Sequence, residues 1–139
     1  MKIVVALDSF KGSLSAAAAC EAVERGVRAA TTSARVIRHP MADGGEGTAA
    51  VLLAARGGRW VMANVTGPLP GSRVEAGYAL LPDGTAVVEM AAASGLPLLG
   101  EDQRNPLLTT TFGTGELLRA AGAHARKILL AVGGSATVD

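Results

Sequence analysis

Apolar positions along this chain follow two periods, and the switches between them mark its elements. Lys2 to Leu7 is a short apolar run rich in β-branched residues, closed by Asp8, and reads as a buried strand. Asp8-Ser9-Phe10-Lys11-Gly12 breaks it, and Ser13 is placed to cap a helix. From Ser15 to Ala30 the spacing lengthens: Cys20, Val23, Val27 and Ala30 recur at steps of three and four, which predicts an amphipathic helix. Glu21 with Arg25 and Glu24 with Arg28 have the spacing of surface pairs on it. Arg35 to His39 is a second strand, ended by Pro40, and Glu46 to Arg56 a second helix.

Arg59 to Val65, Arg73 to Leu81 and Ala86 to Met90 then read as strands. Gly67-Pro68 and Pro82-Asp83-Gly84 supply turns between them, the second suited to a hairpin. Gly95 to Pro106 reads as a loop, Thr110 to Ala123 as a helix and Lys127 to Val132 as a last strand, followed by Gly133-Gly134-Ser135-Ala136-Thr137. The recurring unit of strand, glycine-containing polar turn and helix predicts an α/β fold, a mostly parallel sheet with flanking helices. In open parallel sheets such turns gather at the carboxyl ends of the strands, where ligands bind. Asp8, Asp43 and the 133–137 loop are therefore expected to converge.

Composition narrows the picture. A chain of 139 residues suits one ordinary domain, and 49% hydrophobic residues with 3% aromatic means a core of Ala, Val and Leu. Such small side chains suit helices packed closely on a parallel sheet. The formal net charge is +1, from 13 basic and 12 acidic residues with no run of one sign, which excludes a nucleic-acid-binding surface. Cys20 has no second cysteine to pair with, as expected of a cytoplasmic protein. The longest apolar run, Ala49 to Ala55, falls far below the roughly 18 to 20 residues that span a bilayer.

The chemistry lies in the polar turns. Asp43-Gly44-Gly45-Glu46-Gly47-Thr48 has two readings. As a capping box, Asp43 would accept from the first helical amides and Glu46 would reach back to the cap. That leaves three glycines near a first turn, each costing roughly 0.5 to 1 kcal/mol where helical. As a ligand loop, the glycines would let a phosphate approach the backbone while the acids hold a metal. Lys11, one of three lysines, stands near a helix N-terminus against the dipole, either as a solvated loop residue or as a point charge for phosphate. Gly133-Gly134-Ser135 is an anion loop or an ordinary turn, and the Thr109–Glu116 helix entrance offers capping or a phosphate or carboxylate contact. His39 and His124 are isolated and read as structural or surface residues. Glu89, interrupting an apolar run, stands at an exposed strand end or lines a cleft. No P-loop, dinucleotide fingerprint, nucleophile elbow or paired Cys/His spacing is present.

Taken together, "ALDSFKGSLSA", "PMADGGEGT", "VVEMAAASGL", "NPLLTTTFGTGELL" and "GGSATVD" resemble, in order and spacing, the bacterial glycerate kinase family. Val138 stands where that family usually carries asparagine. The resemblance runs from Met1 to Asp139 and implies the N-terminal portion of a longer protein with two α/β domains, one interrupted by the other. Residues 1–65 would be the first segment of the interrupted domain and residues 66–139 the start of the second. It further implies ATP and Mg²⁺ as cofactors, glycerate as substrate, and no nucleic-acid or membrane partner. Catalytic roles fall to Asp8, Lys11 and Asp43, and substrate or phosphate contacts to Ser9, Gly44, Gly45, Glu46, Gly133, Gly134 and Ser135. For the metal, the resemblance offers Asp43 and Glu46 as candidate ligands. Which acid is base and which ligand stays open, as does which hydroxyl is phosphorylated. Self-association through apolar surface left uncovered by the missing portion is also expected.

Overall fold

A computed structural model describes all of residues 1–139, which form two contact units, Met1–Asp43 and Gly44–Asp139. In the first, β1 (Lys2–Val5) and β2 (Arg35–Arg38) pair in parallel, Lys2 opposite Arg35 and Val5 opposite Arg38, joined by α1 (Ala16–Ala30). Backbone bonding continues past the strands: the His39 N–H donates to Val5 O at 2.7 Å and the Met41 N–H to Leu7 O at 2.9 Å. The cap of α1 is Ser15, whose hydroxyl accepts from the Ala18 N–H at 3.2 Å. Ser13, expected in that role, instead closes a tight turn by donating its N–H to Phe10 O.

The buried face of α1 is Ala16, Ala19 and Cys20, with the Cys20 thiol 3.5 Å from Val5 O; Val5 and Ala34 are buried as well, while Val23 and Ala30 are exposed. Fifteen helical residues extend about 22 Å and a four-residue strand about 13 Å, so the helix outruns the sheet beneath it. The Glu24–Arg28 pair forms at 2.8 Å. Glu21 turns instead to Arg38, which bridges Glu21 at 2.8 Å and Glu24 at 3.1 Å and so ties α1 to β2.

The second unit contains α2 (Thr48–Arg56), β3 (Arg59–Thr66), β4 (Arg73–Leu80), β5 (Thr85–Glu89), α3 (Ala91–Ser94), α4 (Phe112–Gly122) and β6 (Lys127–Ala131). Its sheet has the order β3-β4-β5-β6; the first two pairings are antiparallel and β5–β6 is parallel. The sheet is thus mixed, less parallel than the periodicity suggested. Short connections return the chain antiparallel, whereas β5 reaches β6 through α3 and α4. At Pro82-Asp83-Gly84 the turn closes with the Gly84 N–H on Leu81 O and the Thr85 N–H on Asp83 Oδ1. β3 and β4 pair along eight residues, and the contact units meet between Asp43 and Gly44. The 95–106 loop carries two single 3₁₀ turns, Leu96–Leu98 and Glu101–Gln103.

Alternation along the strands fills both faces of this sheet. Ala76 and Tyr78 of β4 join Val65, Ala86 and Val88 against Ala93, Leu117 and Ala121 of α3 and α4. On the other face Ala79 and Val87, with Leu81 just past β4, pack on Ala49, Leu52 and Leu53 of α2. The hydroxyl of the fully buried Tyr78 lies 2.7 Å from His124 Nδ1 and 3.2 Å from Ala120 O, giving His124 a structural role. Burial pushes the Tyr78 pKa up, against the opposing charge of Arg59. No helix is long and apolar enough to cross a membrane.

Candidate functional site

In the first unit, Asp8 and Asp43 follow β1 and β2, and because those strands are parallel both loops leave the same carboxyl end of the pair. Asp8 folds back on its own turn, its Oδ1 accepting from the Ser9 N–H at 2.6 Å. Lys11 is exposed at the tip of the Phe10–Leu14 turn, held by backbone bonds of 2.8 and 3.0 Å between those two residues.

The acid- and glycine-rich turn gives a different result from either simple reading. Helix α2 starts at Thr48, two residues later than expected, with Gly47 at the cap position in a left-handed conformation (φ 92°) and no side-chain cap bond. Asp43 and Glu46 therefore occupy neither position of a capping box on α2. The acceptor comes from far along the chain: Glu89 Oε1, at the end of β5, takes the Ala49 N–H at 2.6 Å. Thr48, buried, turns its hydroxyl back to Gly45 O at 2.8 Å. A phosphate at the Ala49 amide would meet a carboxylate already there.

Within the second unit, the 133–137 loop returns to the 44–45 backbone. The Gly133 N–H donates to Gly44 O at 3.1 Å, and a Cβ on Gly133 would lie 2.7 Å from Gly45 Cα. Two backbones lie against each other there, and only glycine allows it. Gly134 O accepts from the Leu96 N–H, and Ser135 Oγ accepts from the Thr137 N–H at 3.2 Å. Gly44, Gly45 and Gly133 are thus brought together, Gly134 ties the loop to Leu96, Ser135 closes it on Thr137, and Glu46 is exposed.

Two more carboxylates serve distant backbone amides. Glu116 Oε2 accepts from the Thr66 N–H at 2.6 Å, and this bond, with Arg73 and Arg119 adding to it, holds the Glu116 pKa below the usual carboxylate range. At the entrance of α4 the contact is a carboxylate: Asp139 Oδ2 takes the Thr111 N–H at 2.9 Å, which lowers the Asp139 pKa. An open cleft of about 300 Å³ lies among Asn64, Arg73, Glu116 and Arg119, and one of about 400 Å³ among Trp60, Met62, Gly77, Glu89 and Ala92. No residue expected from the sequence to bind substrate lines either cleft. Glu89 was visible as a charge ending an apolar run, but its amide partner, 40 residues earlier, was not.

No group of three or more His, Cys, Asp or Glu side chains gathers to hold a metal. Asp43 and Glu46, both exposed, offer two carboxylates, a donor set that suits Mg²⁺, which keeps waters and takes its other ligands from phosphate.

The model of the Glycerate kinase family matches residues 3–139. The chain is 54% identical to a glycerate kinase of Bacillus subtilis (strain 168) over 141 aligned residues and 50% identical to a glycerate 2-kinase of Escherichia coli (strain K12). Both matches cover 100% of this chain and 37% of the relative. A crystal structure from Salmonella typhimurium LT2, 50% identical, superposes with a TM-score of 0.76 over 99% of this chain and 37% of its own. The chain therefore spans a little over a third of the length of the curated relatives it matches, in their N-terminal portion. It belongs to the glycerate kinase family.

Proposed function

We propose that these residues are the N-terminal portion of a cytoplasmic, ATP- and Mg²⁺-dependent glycerate kinase. The observation that carries the site is the start of α2 at Thr48 with Glu89 on its amide. Neither acid sits at a cap position of α2, and the role given to both is toward ligand. Phosphoryl transfer to an alcohol asks the protein mainly for positioning and charge neutralisation, with an acceptor for the hydroxyl proton. Asp8 and Asp43 are the acids for that proton, and Lys11 is the point charge for phosphate. Ser9 and the Gly44–Gly45 and Gly133–Ser135 segments contribute polar backbone and hydroxyl groups to substrate and phosphate. Asp43 and Glu46 would hold Mg²⁺, which when bound neutralises phosphate charge.

The test is a chimera in which these 139 residues replace the matched part of the Bacillus subtilis relative, assayed by coupled ADP release with glycerate. Asparagine keeps the size of aspartate and an acceptor oxygen, so Asp43→Asn removes the negative charge and leaves local hydrogen bonding in reach. The expected loss is about 10² to 10³ in turnover, that of one transition-state electrostatic contact. Turnover within about threefold of the parent chimera removes Asp43 from the site.

For the isolated chain we propose self-association through β6, where Ile128, Leu129 and Leu130 are 37%, 39% and 41% exposed. Sedimentation at micromolar concentration tests it: Leu129→Lys shifts the chain toward monomer, and a parent that is already monomeric refutes it.

A further inference from the structure

The two parts of the acid–glycine turn are fixed from different directions. On one side, the Gly133 N–H holds Gly44 O at 3.1 Å, with Gly133 packed on Gly45. On the other, the first turn of α2 has no cap from its own sequence: Gly47 has no side chain to offer, and the Thr48 hydroxyl is committed to Gly45 O. Glu89 fills that gap from the end of β5, half-buried, with Oε1 2.6 Å from the Ala49 nitrogen. Its own backbone is set by the sheet. Glu89 lies opposite Ala131 in the β5–β6 register, and the next residue, Met90, donates its N–H to Ala131 O at 2.9 Å. Val87 and Val88, just before it, are wholly buried.

We propose that Glu89 is a positioning residue for the 44–48 turn. Its carboxylate locks the α2 N-terminus to the carboxyl end of β5, so that the turn's own carboxylates are not drawn back onto the first amides of the helix. An anionic acceptor suits this place, since the helix N-terminus carries partial positive charge and a charge-assisted bond to an amide is stronger than a neutral one. The same β5–β6 end also leads into the 133–137 loop that holds the other side of the turn. One rigid strand end therefore sets both supports. The anchoring stands on geometry alone; its bearing on phosphoryl transfer rests on the function proposed above.

The experiment uses the 139-residue chain with Glu89→Ala and Glu89→Gln, read by amide hydrogen exchange and amide resonances. In Glu89→Ala the Ala49 amide loses its acceptor and exchanges at least about tenfold faster, while the Val87 and Leu117 amides stay within about threefold of wild type. The Gly44, Gly45 and Gly47 resonances shift with it. Glu89→Gln, which keeps an acceptor oxygen of the same reach, restores Ala49 protection and the glycine positions. Unchanged Ala49 exchange in Glu89→Ala overturns the proposal. So does equal acceleration of Ala49 and the core amides, or failure of Glu89→Gln to restore the turn. In the chimera, Glu89→Ala lowers kcat by about 10²-fold at similar glycerate KM, the effect of a displaced reacting group, and Glu89→Gln recovers most of it. An inactive parent chimera refutes the kinase reading and leaves the exchange result to decide on Glu89. An active parent chimera whose kcat is unchanged by Glu89→Ala refutes the positioning role.

Discussion

Gly133→Ala should destabilise the second unit, by an amount that follows from one contact. The added methyl would stand 2.7 Å from Gly45 Cα, 3.1 Å from Gly45 N and 3.3 Å from Gly44 O, all backbone atoms. A flexible side chain could swing away; two backbones joined by the Gly133 N–H bond to Gly44 O must separate. Overpacking of this kind costs about 1 to 3 kcal/mol. The single tryptophan, Trp60, lies on β3 of the same unit, so its fluorescence in a urea titration reports the relevant unfolding. At a slope of about 2 kcal/mol per molar urea, a loss of about 2 kcal/mol lowers the midpoint by about 1 M. Gly115→Ala is the control of opposite sign. Gly115 is helical and exposed, and a Cβ there meets nothing within 4 Å, so alanine should raise stability by about 0.5 to 1 kcal/mol. A Gly133→Ala midpoint within about 0.2 M of wild type would refute the close approach as the reason for glycine there.

Leu117→Ala, at a fully buried position facing the sheet, should cost about 2 to 5 kcal/mol in the same titration, and a loss under about 1 kcal/mol would show that this cluster is loosely packed. Acid should weaken the second unit through Glu116 and Asp139. Their pKa values are depressed in the folded state by the Thr66 and Thr111 amides, so their contribution is present above the unfolded carboxylate range near about pH 4 and is lost as pH falls through the folded values. The urea midpoint, followed from about pH 7 to about pH 3, should fall less steeply in Glu116→Gln and Asp139→Asn than in wild type; parallel slopes would contradict this. The isolated chain should show no glycerate-dependent ADP release, since the relatives carry most of their length outside the matched segment; turnover of about 1 per second or faster would contradict that.

The sequence alone determined every strand and long helix of this chain to within a few residues, because each rests on local periodicity and on turn residues beside it. It also pointed to the family, because five segments in fixed order and spacing are legible as text. It could not place Glu89 on the Ala49 amide, Asp139 at the entrance of α4, or Glu116 on the Thr66 amide, since those partners lie 40, 28 and 50 residues apart. The turn at 43–48 shows the difference most directly. Locally, Asp-x-x-Glu before an apolar helix is a capping box, and that pattern describes what the segment would do alone. In the folded chain a strand end brings another carboxylate to the helix N-terminus, and two glycine backbones meet at Gly45 and Gly133. Which acceptor an amide takes depends on what the sheet register carries to it, and register is a property of paired strands rather than of any one segment.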